Sequence, residues 1–155
     1  MKKIGEYTAR GVVYEADTVA GNPQKIPLFD GSFDTAYKVV DFRVWGASVT
    51  GSGGYVVGKL ATNDTGGTDS ATFFNADDNN QIAWSQSAAA TDGGLHSMGD
   101  RVIDPDNLIV EDLYVYGRAN VAGSGINYIV TMEKYKISEW RGALAMAKDK
   151  QQDSS

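Results

Sequence analysis

The chain of 155 residues contains no cysteine and only one histidine, and this composition excludes much of the usual catalytic chemistry. Without cysteine there are no disulfides, no thiolate metal ligands and no thiol nucleophile. With His96 as the single histidine, no pair of imidazoles is available for acid–base work. A domain of this length buries roughly 70% of the surface of its unfolded chain, so its core does not need covalent cross-links.

Cations are in the minority, because 14 Lys and Arg stand against 20 Asp and Glu for a formal net charge of −6. A surface with this balance repels phosphate backbones unless its few cations are gathered in one place. Contact with nucleic acid is therefore expected only through the basic termini, which contain Lys2, Lys3, Arg10, Arg141, Lys148 and Lys150.

Long apolar runs are also missing. The longest helix-like one, Ala143–Ala147, is far shorter than a bilayer core of about 30 Å requires. Glu6 and Arg10 interrupt the apolar region that a signal peptide would need. We therefore expect a product that is made in the cytoplasm and has no membrane partner.

What the sequence has in quantity is alternation of apolar and polar residues with the period of a β-strand. Two Gly-rich links, 51–54 and 118–125, join strand-like segments and predict two β-hairpins. The stretch 63–100 is dominated by Gly, Asp, Asn, Ser and Thr, which predicts loops. The strand-like segments are Glu6–Ala16, Ala36–Thr50, Tyr55–Thr62, Leu108–Gly117 and Ile126–Ile137.

One helix is predicted, at the C-terminus. Ser138 suits an N-cap for a helix from Glu139 to about Lys148. These patterns together predict an all-β fold, an antiparallel β-sandwich over residues 1–137, followed by a C-terminal α-helix and polar tail over residues 138–155.

The segment Leu108–Gly117 is apolar on both of its faces. A strand of this kind needs cover on both sides, from a second sheet within the chain and from something outside it. This pattern favours assembly over catalysis. The predicted interface residues are Tyr114, Tyr116, Trp140 and Leu144, the last two of which share one helix face.

Catalytic and metal motifs are weak. Ser97, His96 and Asp100 are neighbours in one loop, where a working triad rarely forms. The acidic stretch 75–80 resembles a calcium loop, but Asn80 occupies the position of the turn-forming Gly and Gln86 that of the bidentate Glu. We therefore predict no catalytic residue, no metal and no cofactor.

Exposed aromatic residues on a sandwich can also stack on sugar rings. Trp84, in the loop-rich middle, is the tryptophan that core packing explains least. Trp84 and His96 are therefore the candidates for a ligand site or a contact loop.

The runs Val102–Tyr116 and Ile126–Tyr135 and the closing Trp140–Met146 resemble the C-terminal part of small virion proteins of bacterial viruses. The resemblance implies a jelly-roll-like β-sandwich that repeats in a shell, with the C-terminal helix or tail engaging a neighbour. The leading hypothesis is thus a non-enzymatic capsid-type subunit, located in the virion, whose partners are copies of itself and other virion proteins. A carbohydrate-binding module is the alternative, and a hydrolase comes third.

Overall fold

Two antiparallel β-sheets face each other in a computed structural model of the protein. The structure describes residues 2–19, 22–31, 34–47, 55–63, 74–76, 80–89, 95–97, 101–120 and 125–138. The predicted C-terminal helix from Glu139 lies outside these ranges. The elements are β1 Lys2–Tyr14, α1 Glu15–Val19, β2 Gln24–Ile26, β3 Thr35–Gly46, β4 Tyr55–Ala61, β5 Gln81–Ala89, β6 Leu95–Ser97, β7 Arg101–Ile103, β8 Leu113–Ala119 and β9 Gly125–Lys136.

The strands are wrapped as nested antiparallel pairs. β1 pairs with β9, β2 with β8, and β4 with β5. The small sheet has three strands in the order β1-β9-β3, and the large sheet has six, in the order β2-β8-β4-β5-β6 with β7 beside β5. Because the early strands alternate between the sheets, the wrapping is jelly-roll-like. The predicted antiparallel β-sandwich is confirmed.

The core lies between the two sheets. On β9, Ile126, Val130 and Met132 are each fully buried, and they alternate with half-buried residues that face outward. The large sheet meets them with Leu113 of β8, which is also fully buried. Gly58 allows a close approach, because a Cβ there would lie 2.6 Å from a methyl carbon of β3.

The two predicted hairpins are wrong. β3 and β4 belong to different sheets, and so do β8 and β9, so neither pair of strands forms a hairpin. Alternation with period two identifies a strand and its inner face. It does not identify the neighbour, because facing sheets cover an apolar face as well as an adjacent strand does.

The predicted loop region contains a nine-residue strand, β5. Ile82 and Ala83 point into the core. Ser85 is also buried, and its hydroxyl oxygen accepts a hydrogen bond of 3.2 Å from the backbone N–H of Val44 on β3. Ser85 therefore has a partner in the fold, and polar residues of this kind are the reason that the segment looks like a loop in the sequence.

Asp104-Pro-Asp-Asn107, a sequence typical of a turn, forms a turn in the structure, and this turn fastens β3. The Asp104 carboxylate accepts a hydrogen bond of 3.0 Å from the N–H of Asp106, which closes the turn. The buried side chain of Asn107 then accepts from the N–H of Val39 at 2.7 Å and donates to the carbonyl of Val39 at 3.0 Å. Nearby, Tyr37 and Ile109 exchange two backbone hydrogen bonds of 2.8 Å.

We expect Asn107→Ala to lower the free energy of unfolding by about 2–4 kcal/mol, because it leaves two backbone groups of Val39 without partners in a buried place. Denaturant unfolding measures the change. The matched control is Asn127→Ala, which removes one long hydrogen bond of 3.4 Å from a half-buried side chain. Equal losses in the two variants would contradict the role of Asn107.

Candidate functional site

Three of the aromatic residues predicted to make contacts lie on the outer face of the large sheet. On β8, Leu113 and Val115 point into the core, so Tyr114 and Tyr116 point away from it. Trp84 of β5 lies on the same outer face. The alternation of each strand thus brings the three aromatic residues to one surface.

The other predicted residues are placed only in part. His96 belongs to β6, which pairs with the end of β5. Trp140 and Leu144 lie outside the described residues. The interface role of these two and the contact role of His96 stay predictions.

The strand register aligns one row of side chains across the outer face. Tyr116 lies opposite Lys59 of β4, Lys59 lies opposite Trp84, and Trp84 lies opposite Val102 of β7. We call these four residues the outer row. Its outermost member, Val102, is 61% exposed, whereas its centre is covered.

Lys59 is the unexpected member of the outer row, because it is only 2% exposed. Its ammonium nitrogen lies 5.0 Å from the ring centroid of Tyr116 and 5.3 Å from that of Phe74. Both distances are those of cation–π contacts. Phe74, which comes from the segment between β4 and β5, therefore covers the sheet at this point, and the outer face has a small core of its own.

Tyr116 belongs to this small core. It is 1% exposed in the single chain, and its hydroxyl donates to the carbonyl of Asn63 at 3.4 Å. A side chain in that state has almost no surface left to lose to a partner. Tyr114 is half-buried and keeps exposed surface, so it is the better placed of the two for contact with a second molecule.

Trp84 is held in place by its neighbour Gln81. The indole N–H donates to the side-chain oxygen of Gln81 at 2.9 Å, and the same oxygen accepts from the N–H of Asn75 at 3.0 Å. The ring is half-buried. Its N–H is therefore already used within the chain, which leaves the face or edge of the ring for contact with a ligand.

We expect Lys59→Ala to lower the free energy of unfolding by about 2–4 kcal/mol, because it removes a buried stem and the cation between two rings. Lys59→Met keeps the stem and should recover part of the loss. Lys38→Ala, a half-buried lysine of β3, serves as control and should cost under about 1 kcal/mol. A loss for Lys59→Ala as small as the control would place the lysine outside the packed layer.

Beside Tyr114, Asp112 anchors the segment that follows β2. Its carboxylate accepts hydrogen bonds from the N–H groups of Leu28 and Phe29 at 2.8 and 3.1 Å, and it lies 3.2 Å from the ammonium of Lys25. Burial opposes ionisation, but these two N–H groups and Lys25 hold the pKa of Asp112 below its ordinary value.

The pKa of Asp112 is lower in the folded chain than in the unfolded chain. Its carboxylate therefore stabilises the fold at pH values above the ordinary pKa of Asp, and this stabilisation is lost as the pH falls. We expect Asp112→Asn to cost about 1–2 kcal/mol near neutral pH. The gap between the two proteins should shrink below about pH 4. Urea unfolding at several pH values measures it, and a gap that is constant down to pH 2 would contradict this role.

A second surface is the free edge of β1. This strand has 13 residues and pairs on one side with β9, and among the described residues no strand pairs with its other side. We call this side the open edge. Four large apolar side chains of β1 are exposed by 39–53%: Ile4, Tyr7, Val12 and Tyr14. The sequence predicted the strand from Glu6, but not that it lies at an edge.

Ion pairs hold the start of β1 onto β9. The ammonium of Lys3 lies 2.6 Å from Glu133 and 3.1 Å from Glu6, and these carboxylates raise the pKa of Lys3 to about 12. Hydrogen bonds from Lys3 and from the hydroxyl of Tyr135 lower the pKa of Glu133. The first residues of β1 are thus fixed on the sheet, although they are exposed.

In the described part of the chain, no group of three or more acidic or histidine side chains is placed to hold a metal ion. Residues 77–79 of the calcium-like stretch lie outside it. Asn80 at the end of that stretch accepts a hydrogen bond of 3.1 Å from the hydroxyl of Thr62. No helix in these ranges is long and apolar enough to cross a membrane.

Comparison with known proteins finds no matching family model and no matching curated protein. Among solved structures, one similar structure is the cryo-EM structure of Mud crab tombus-like virus at 3.3 Å resolution. The identity is 13%, the match covers 88% of this chain and 84% of that chain, and the TM-score is 0.31. This is a virus structure, named for the mud crab and not for a bacterium.

Proposed function

We propose that this chain is a non-enzymatic structural subunit that assembles with copies of itself into a shell or lattice. The observation that carries the proposal is the open edge of β1. A long strand edge presents a row of backbone N–H and C=O groups that can pair with another chain, and proteins that stay monomeric usually shield such edges.

The edges of the large sheet provide the contrast. β2 and β6 have three residues each. Pro23 and Pro27 flank β2, and proline lacks the N–H that a further strand would need. Both edges are short, as is usual where pairing with another molecule is avoided. β3, the other edge strand of the small sheet, is also long, with 12 residues, but Ile109, Asn107 and Ser85 supply hydrogen-bond partners along it. Among the described residues, β1 is therefore the long edge strand without such cover.

A virion is the setting that we propose for this assembly, on the resemblance of the C-terminal third to small virion proteins of bacterial viruses. The subunit would then be made in the host cytoplasm, and its partners would be further copies and other virion proteins. Contact with nucleic acid is proposed only through the basic termini, of which Lys2, Lys3 and Arg10 are described and are exposed.

Carbohydrate binding is the second candidate, and the half-buried ring of Trp84 on a sheet surface is the observation in its favour. It is the weaker candidate, because Gln81 already accepts the hydrogen bond of the indole N–H.

We expect the purified protein to have a mass that is a multiple of 16.6 kDa and rises with concentration. Light scattering after size exclusion and electron microscopy of the largest species measure this. Trp84→Ala should leave the mass unchanged. A monomer at every concentration would contradict the structural role, and retention on a polysaccharide matrix that Trp84→Ala abolishes would favour the alternative.

A further inference from the structure

We infer that two copies of this chain pair through the open edge of β1, antiparallel and about a two-fold axis at Thr8. The inference rests on the proposed function, because it names the surface and the partner of a first assembly step. In this dimer the two three-stranded sheets form one continuous sheet across the axis.

The two edges of the small sheet differ in a way that supports this pairing. Along β3, the chain itself supplies partners for the edge, namely the backbone of Ile109 and the side chains of Asn107 and Ser85. Among the described residues, nothing takes the same place along β1. A second β1 strand is a partner that offers the missing backbone donors and acceptors over the whole length.

Symmetry restricts the register. Opposed residues of antiparallel strands point to the same face of the sheet, and a two-fold axis normal to the sheet keeps every side chain on its face. The axis must therefore pass midway between the two copies of one residue, which lie opposite each other. With the axis at Thr8, the middle residue of β1, Glu6 of each copy lies opposite Arg10 of the other. An axis at Tyr7 or Ala9 leaves both charges opposite uncharged residues. Charge complementarity therefore selects Thr8.

The two charged side chains are available for this contact. Glu6 has 72% of its side chain exposed and shares the ammonium of Lys3 with Glu133. Arg10 is exposed, and its guanidinium has no hydrogen-bond or ion-pair partner in the described part of the chain. In the dimer, the carboxylate of Glu6 in each copy lies beside Arg10 of the other copy, so two such ion pairs form. Opposite charges that face each other across paired strands stabilise the pairing.

The same axis also matches the uncharged side chains. Val12, 39% exposed, faces the bulged end of the partner strand at Ile4, which is 49% exposed, so apolar surface meets apolar surface. On the inner face, Tyr7 lies opposite the small Ala9, which leaves room for the ring. The bulge of β1 at Ile4 lies outside the stretch Glu6–Arg10 that carries the charge pairs.

A charge-reversal cycle tests the register. Arg10→Glu sets like charges opposite each other twice per dimer, and Glu6→Arg does the same, so each should raise the dissociation constant by about 10-fold or more. The double variant E6R/R10E restores opposite charges and should return to within about 3-fold of the original protein. Arg118→Glu makes the same charge change on β8 and should have little effect.

Disulfide cross-linking tests the position of the axis. Because the chain contains no cysteine, only an introduced thiol can form the disulfide. Thr8→Cys places two thiols on opposed residues, whose Cα atoms should lie about 4.5–5.5 Å apart, within the range of a disulfide. Mild oxidation should therefore yield a covalent dimer. Val12→Cys is the control on the same strand, because its two copies would lie roughly 27 Å apart.

The outcomes separate this inference from the proposed function. A covalent Thr8→Cys dimer together with rescue in E6R/R10E supports the pairing. Assembly that persists unchanged in all charge variants, without the cross-link, overturns the pairing through β1 and leaves the structural role standing. A wild-type protein that is monomeric at every concentration overturns both.

Discussion

The backbone groups at a strand edge need partners, and the architecture of this protein follows from how its small sheet meets that need. At β3 the partners come from the side of the large sheet, through Ile109, Asn107 and Ser85. Closing this edge therefore also ties the two sheets together. Arg101 of β7 adds an ion pair to Asp41 at the same edge. At β1 the described residues supply no such partners. The small sheet therefore has one edge whose backbone groups are paired within the chain and one edge that can pair with another molecule.

Much of the sandwich could be predicted from the sequence, because its strands alternate so regularly. The alternation of β9 from Ile126 to Met132 indicated both a strand and its buried face, and the turn at Asp104 was readable from Asp and Pro. The pairing of the strands was not readable. Which strands become neighbours depends on contacts between distant segments, and the Gly-rich links allow a hairpin and a crossing between sheets equally well.

The candidate surfaces were harder to predict, for a physical reason that Lys59 illustrates. A lysine in a sequence indicates an exposed position, and here it is buried because two aromatic rings from separate segments cover it. β5 was missed likewise, since Ser85 and Gln81 are polar and find their partners only in the folded chain. The edge position of β1 depends on sheet order, which no local pattern contains.

The buried ammonium of Lys59 gives the protein an internal reporter. Reagents that acylate amines modify lysines that water reaches, so Lys2 and Lys25, which are exposed, should react readily while Lys59 stays protected. Protection ends when the Phe74 ring moves away from Lys59, and this opening does not require the two sheets to separate. The rate at which Lys59 acquires label therefore measures how often the covering layer opens.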